Sequence, residues 1–148
     1  MSLSNITKLR QATGAGVLAC KKALENSGGD FEKAIQILKN EGLLVAAKKA
    51  SRQTLTGRVE AYTHLDGRVG ALVKLSCETD FVARNEEFRR LAHELCLQVA
   101  AMNPKTVTNL LKQEYIRDQS KTVADLVNEV IAKVGENIKI EGFARIEI

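Results

Sequence analysis

The chain has 148 residues, enough for one ordinary domain or a main domain with a small module. Its composition, 45% hydrophobic and 27% charged with one proline, is that of a globular protein and excludes a long disordered tail. A net charge of +4 permits an acidic partner without demanding nucleic acid, and no stretch approaches the roughly 18 apolar residues of a membrane-spanning helix.

Residues 1–42 read as three short helices. Ser4 or Asn5 caps the first, whose apolar face takes Ile6, Leu9 and Ala12. Thr13-Gly14-Ala15-Gly16 breaks it. A second helix with Val17, Cys20, Ala23 and Leu24 on one face ends at Ser27-Gly28-Gly29. Asp30 caps a third, in which Phe31, Ala34, Ile35 and Leu38 recur at helical spacing, and Gly42 is expected to close it. Such a bundle barely closes a core, a size that suits docking rather than catalysis. Residues 43–56 read as a linker helix, alanine-rich and basic towards Arg52.

Residues 57–148 read as an α+β core. From Gly57 the period becomes two, with Val59, Ala61 and Thr63 expected on the packed face. Asp66-Gly67 marks a hairpin, and the return strand puts Val69, Ala71, Val73, Leu75 and Cys77 on one face. After Thr79–Arg84, Asn85 caps a long helix whose stripe is Phe88, Leu91, Ala92, Leu95, Val99 and Met102 and which ends at Asn103-Pro104. Residues 105–121 suggest one short helix. Val123, Leu126, Val127, Val130, Ile131 and Val134 form another helical stripe closed by Gly135. Ile138, Ile140, Ala144, Ile146 and Ile148 share one parity, giving a last strand that joins the hairpin. The expected fold is a three-helix bundle, a linker helix and a three-stranded antiparallel sheet packed with helices.

Few residues suggest chemistry. Thr13-Gly14-Ala15-Gly16 lacks the spacing of a phosphate-binding loop and follows no strand. Cys20, Cys77 and Cys96 form no CxxC pair and read as small core hydrophobes. With only His64 and His93 besides, no metal site and no cofactor are expected. The segment Met1-Ser2-Leu3-Ser4-Asn5-Ile6 has no signal-peptide core, so a cytoplasmic location is expected. Glu78 and Asp80 are acids at a helix start, where capping and dipole pairing are the ordinary roles and acid–base catalysis the rare one. Lys21, Lys22, Lys48, Lys49 and Arg52 read as solvated faces, with RNA binding as the competing reading. At the junction, Thr79 or Asp80 caps a helix, and Phe81 either plugs the core or stands out for another protein.

Several runs carry a family resemblance: Leu9-Arg10-Gln11-Ala12-Thr13-Gly14-Ala15-Gly16, Cys20-Lys21-Lys22-Ala23-Leu24, Gly29-Asp30 and Ala46-Ala47-Lys48-Lys49-Ala50. Cys77 to Asn85 and Ile131 to Ile138 continue the series. In that order and register the chain resembles bacterial translation elongation factor Ts. The resemblance implies a guanine-nucleotide exchange factor for elongation factor Tu, with no catalytic residues of its own. It also implies an N-terminal bundle similar to a ubiquitin-associated domain and a motif, Thr79, Asp80, Phe81 and Val82, that inserts into the G domain of Tu and disturbs its Mg²⁺ and phosphate site. Arg10 matches a Tu-facing arginine, and Val17 and Leu18 stand where the family often has Met-Met. Between Pro104 and Val123 the chain is shorter than longer members, as in short forms that pair as homodimers. A homodimer through the sheet region, with no direct nucleic-acid contact, is therefore expected.

Overall fold

The computed structural model describes residues 3–148; Met1 and Ser2, which begin the segment read above for a signal-peptide core, lie outside the described residues. Three helices, α1 (Leu3–Thr13), α2 (Val17–Asn26) and α3 (Phe31–Lys49), come first. A hairpin of β1 (Thr56–Thr63) and β2 (Val69–Cys77) follows, then a one-turn helix α4 (Asp80–Ala83) and the long α5 (Glu86–Met102). Helix α6 (Val107–Lys112), strands β3 (Glu114–Tyr115) and β4 (Asp118–Thr122), helix α7 (Val123–Val134) and strand β5 (Ile138–Glu147) complete the chain.

The bundle encloses its own small cluster, Leu9, Cys20, Ala23, Leu24 and Ala34, with Phe31, Ile35 and Leu38 packed on it. Asp30 caps α3 as its position predicts, accepting from the Lys33 N–H at 3.0 Å. Ser4 and Asn5 lie inside α1 rather than ahead of it. Gly42 does not end α3. The bundle's third helix and the expected linker helix are one element of 19 residues, whose far half turns Ala46 into the main core. A Cβ at Gly42 would lie 3.8 Å from the Ala132 Cβ of α7, so the glycine sits where α3 and α7 run close. Packing against α7, reinforced by Lys39–Asp125 at 3.1 Å, outweighs the glycine's weak helix propensity.

The main sheet is antiparallel in the order β1-β2-β5. Helix α5 lies on one face through Phe88, Leu91, Ala92, Leu95 and Val99, all buried, while Met102 at its end is exposed. The face assigned to β1 is reversed relative to the expectation. Arg58, Glu60 and Tyr62 stand opposite the buried Leu75, Val73 and Ala71 and so share the helix-covered face. Val59, Ala61 and Thr63 face outward. The hydrophobic alternation misleads because β1 is an edge strand whose inward polar groups pair with one another: Arg58 meets Glu60 at 2.7 Å.

The parity of β5 breaks as well. Lys74 pairs with Gly142 but Leu75 with Ile140, so Glu141 is an extra, bulged residue. Ile138 and Ile140 therefore point inward, whereas Ala144 and Ile146 point outward, and Arg145 turns in to donate from Nε to the Ala100 carbonyl at 3.0 Å. Residues 105–121 hold more than a short helix, since β3 and β4 form a second small hairpin. Buried Gln98 secures it, donating to the Glu114 carbonyl at 3.0 Å and accepting from the Ile116 N–H at 3.0 Å.

Candidate functional site

The junction after β2 is built from three directions. Thr79 is the N-cap of α4, its hydroxyl oxygen accepting from the Val82 N–H at 3.4 Å, which settles the choice between Thr79 and Asp80. The same hydroxyl donates to Glu136 at 2.5 Å, and the Thr79 backbone N–H donates to the other oxygen of that carboxylate at 2.9 Å. Glu78 accepts from the Asn137 N–H at 2.7 Å, and Asn137 donates from its amide to the Arg52 carbonyl at 2.8 Å. Asp80 accepts from the Thr56 hydroxyl at 2.6 Å. The turn is thus tied to the α7–β5 connection, to the end of the segment after α3 and to the start of β1.

Gly57, next to Thr56, makes that last tie possible. Its φ is +156°, and a Cβ there would stand 2.1 Å from the Leu75 carbonyl oxygen. Only glycine lets β1 start this close to β2. Beneath the turn, Cys77 donates from Sγ to the Thr79 carbonyl at 3.3 Å. Burial, followed by the Glu136 carboxylate, pushes its thiol up to about 11, so the sulfur is a neutral packing group.

On this mount Val82 is buried and Phe81 is 89% exposed. Of the two roles open to it, core plug or outward-facing aromatic, Phe81 has the second. Asp80 does not join Glu78 as a paired acid: one is bonded to Thr56 and the other to Asn137. Among the described residues no group of three or more His, Cys, Asp or Glu is arranged to hold a metal ion. No described helix is long and apolar enough to cross a membrane.

Arg10, Val17 and Leu18 lie apart from this turn, on the bundle's surface. All three are exposed, Leu18 at 75%. The turn between α1 and α2 that carries them towards the core is touched by Lys133 of α7, whose chain end fills the space a Cβ at Gly14 would occupy. Lys133 also reaches Glu87, in the first turn of α5, at 3.7 Å. One lysine thus links the bundle's turn to the helix that follows Phe81.

Sequence reasoning missed Glu136 and Asn137 as supports of the motif. Both sit just past the glycine that closes α7, yet nothing local ties Glu136 to a partner 57 residues away. The only hint was a polar pair following a helix stop where a loop could have taken any residue.

Comparison with known proteins matches residues 78–148 to the family model described as Elongation factor TS. Elongation factor Ts of Caldanaerobacter subterraneus subsp. tengcongensis is 44% identical over 192 positions, covering 99% of this chain and 96% of that protein. The protein of the same name from Thermotoga neapolitana is 43% identical, covering 100% and 97%, and that from Desulforamulus reducens is 39% identical, covering 100% and 89%. The alignments run over more positions than the 148 residues present here, so several dozen positions of each relative have no counterpart in this chain. With identity of this order along the whole chain, and with the motif turn inside the matched region, the chain belongs to the elongation factor Ts family.

Proposed function

We propose that this chain is a guanine-nucleotide exchange factor that binds elongation factor Tu and releases its GDP by inserting Phe81. Membership of the elongation factor Ts family supports a role in translation elongation. The observation that carries the finer reading is the pairing of an 89% exposed phenylalanine with a turn anchored on three sides. Leaving a phenylalanine in water forgoes about 2 kcal/mol of burial, which a receiving partner would recover.

In this reading Phe81 is the apolar wedge and Asp80 its polar companion, while Thr79 and Val82 fix the turn. Arg10, Val17 and Leu18 form a second grip on the G domain. The wedge displaces groups around the Mg²⁺ and phosphates of Tu; a bound cation is among the largest charges in such a site, so disturbing it weakens nucleotide binding. A factor that prefers nucleotide-free Tu must lower the affinity for GDP by the same ratio, and GTP then enters. The chain supplies no catalytic group of its own and works in the cytoplasm, where translation elongation runs.

We also propose a homodimer. The outward face of the sheet carries Val59, Leu72 and Ile146, exposed at 62%, 46% and 75%, flanked by Ala61 and Ala144. A matching face from a second copy would cover this patch by sheet-on-sheet packing. In this reading the positions absent relative to longer family members fall between Pro104 and Val123, the stretch that α6 and the small hairpin span. The direct test is release of fluorescently labelled GDP from Tu: the chain should accelerate it severalfold or more, and release at the spontaneous rate would refute the exchange reading.

A further inference from the structure

Beside the wedge lies an open cleft of about 540 Å³ lined by arginines from three elements: Arg58 from β1, Arg84 at the end of α4, and Arg89 and Arg90 from the start of α5. Glu60, Glu86 and His93 complete its wall. Arg58 is engaged by Glu60 at 2.7 Å, and Arg90 by Glu86 at 3.2 Å and Glu87 at 3.7 Å. Arg84 and Arg89 are exposed and have no carboxylate in ion-pair range among the described residues. Arg58 Nε is buried with no acceptor, an arrangement that costs stability. Four guanidinium groups around one cleft against two glutamates leave an uncompensated positive field.

The cleft adjoins the helical turn that carries the wedge. Arg84 is the C-cap of α4 with helical backbone angles, three residues after Phe81, so the two side chains leave the same side of one helical turn. Thr56, which holds Asp80, is two residues before Arg58 on β1. A partner that receives Phe81 therefore comes close to Arg84 at the rim of this cleft.

We propose that this cleft is a docking surface for carboxylate side chains of the protein that Phe81 enters, an inference that rests on the exchange reading above. Guanidinium forks match carboxylates in a bidentate geometry. Glu60 engages Arg58 and Glu86 engages Arg90, which leaves Arg84 and Arg89 as the forks open to an incoming carboxylate. No Phe, Tyr or Trp lines the cleft to stack a base, which argues against single-stranded nucleic acid. The surface acts on encounter and affinity, whereas Phe81 acts on nucleotide release.

The test is stopped-flow binding of the full chain to Tu between about 50 and 300 mM salt, a range over which exposed charges become screened. It compares the wild type, Arg84→Glu/Arg89→Glu and Phe81→Ala. Charge reversal at two exposed arginines should leave the melting temperature unchanged, slow association about ten- to a hundredfold at low salt and flatten its salt dependence. Maximal GDP release at saturating factor should be retained. Phe81→Ala should show the opposite split, keeping salt-dependent association and losing maximal release. Wild-type association and salt dependence in the double arginine variant would overturn the proposal. So would failure of the wild type to bind Tu, or a variant that loses binding to an RNA oligonucleotide while binding Tu normally. If the wild type binds Tu without releasing GDP, the exchange reading falls, and slowed association in the arginine variant still supports the cleft.

Discussion

Thr79 gives both its backbone N–H and its hydroxyl to the single carboxylate of Glu136, at 2.9 and 2.5 Å. That carboxylate follows α7 and fixes a turn that follows β2, so the orientation of Phe81 is set by a residue remote in sequence. Glu136→Gln keeps the size but loses the charge and one acceptor. It should cost only about 1 kcal/mol, because the group is partly exposed. Maximal GDP release should fall about tenfold as the wedge loses its fixed geometry. Thermal melting and release kinetics on the same preparation separate the two effects.

Two glycines should respond in opposite directions to alanine. At Gly57 a Cβ would meet the Leu75 carbonyl oxygen at 2.1 Å and the Ser76 Cα at 2.7 Å, both backbone atoms that cannot yield cheaply. Gly57→Ala should lose about 3 kcal/mol or more and lower the melting temperature by about 10 °C. Gly42 is in the interior of α3 with its nearest neighbour at ordinary contact distance, so Gly42→Ala should gain about 0.5–1 kcal/mol. Differential scanning calorimetry reads both.

All three cysteines are buried and free. Burial, with the Glu136 carboxylate second at Cys77 and the Glu60 carboxylate second at Cys96, pushes both thiols up to about 11. At pH 8 only about one in a thousand of either is thiolate. Labelling of the folded protein by a disulfide reagent should therefore run at least a hundredfold slower than for free cysteine, becoming fast for all three in denaturant. A fast-reacting thiol at native pH would contradict the packing described for the turn.

Acid stability should depend on Asp125 and Glu141. Burial works to raise the Asp125 pKa, but the Thr122 N–H and the Lys39 ammonium hold it below the ordinary carboxylate range. The Ser76 hydroxyl, acting against slight burial, does the same for Glu141. A depressed folded-state pKa contributes stability above the unfolded value of about 4, and that contribution disappears as pH falls through the lower folded value. Urea titrations should show stability declining below about pH 4, with a shallower decline in Asp125→Asn. At neutral pH that variant should lose about 1 kcal/mol with its capping box.

The homodimer proposal makes Ile146 and Val59 interface residues. Ile146→Lys, outward-facing on β5, should shift the protein to monomer in sedimentation velocity without lowering its helix content. A wild-type monomer at micromolar concentration would contradict the pairing.

Several helix starts and stops were legible because their chemistry is local: Asp30, Asn85 and Gly135 act where the sequence placed them, and Thr79 takes the cap left open between it and Asp80, whereas Ser4 and Asn5 fall inside α1. The break expected at Gly42 was not, since contact with α7 overrides one residue's propensity. Face assignments failed on both edge strands for long-range reasons. Arg58 and Glu60 neutralise each other beneath α5, and the bulge at Glu141 reverses the parity of everything after it. The motif turn was visible as a strand-to-helix junction with an unexplained aromatic. Its supports, Thr56 at the start of β1 and the adjacent Glu136 and Asn137 after α7, come from two segments remote in sequence and leave no mark in local spacing.

Phe81, as proposed above, drives nucleotide release rather than binding. The most direct test is single-turnover release of labelled GDP from Tu at saturating wild-type chain and saturating Phe81→Ala. The variant should melt like the wild type, still bind Tu, and lose most of the acceleration. Equal maximal release by both proteins would contradict it.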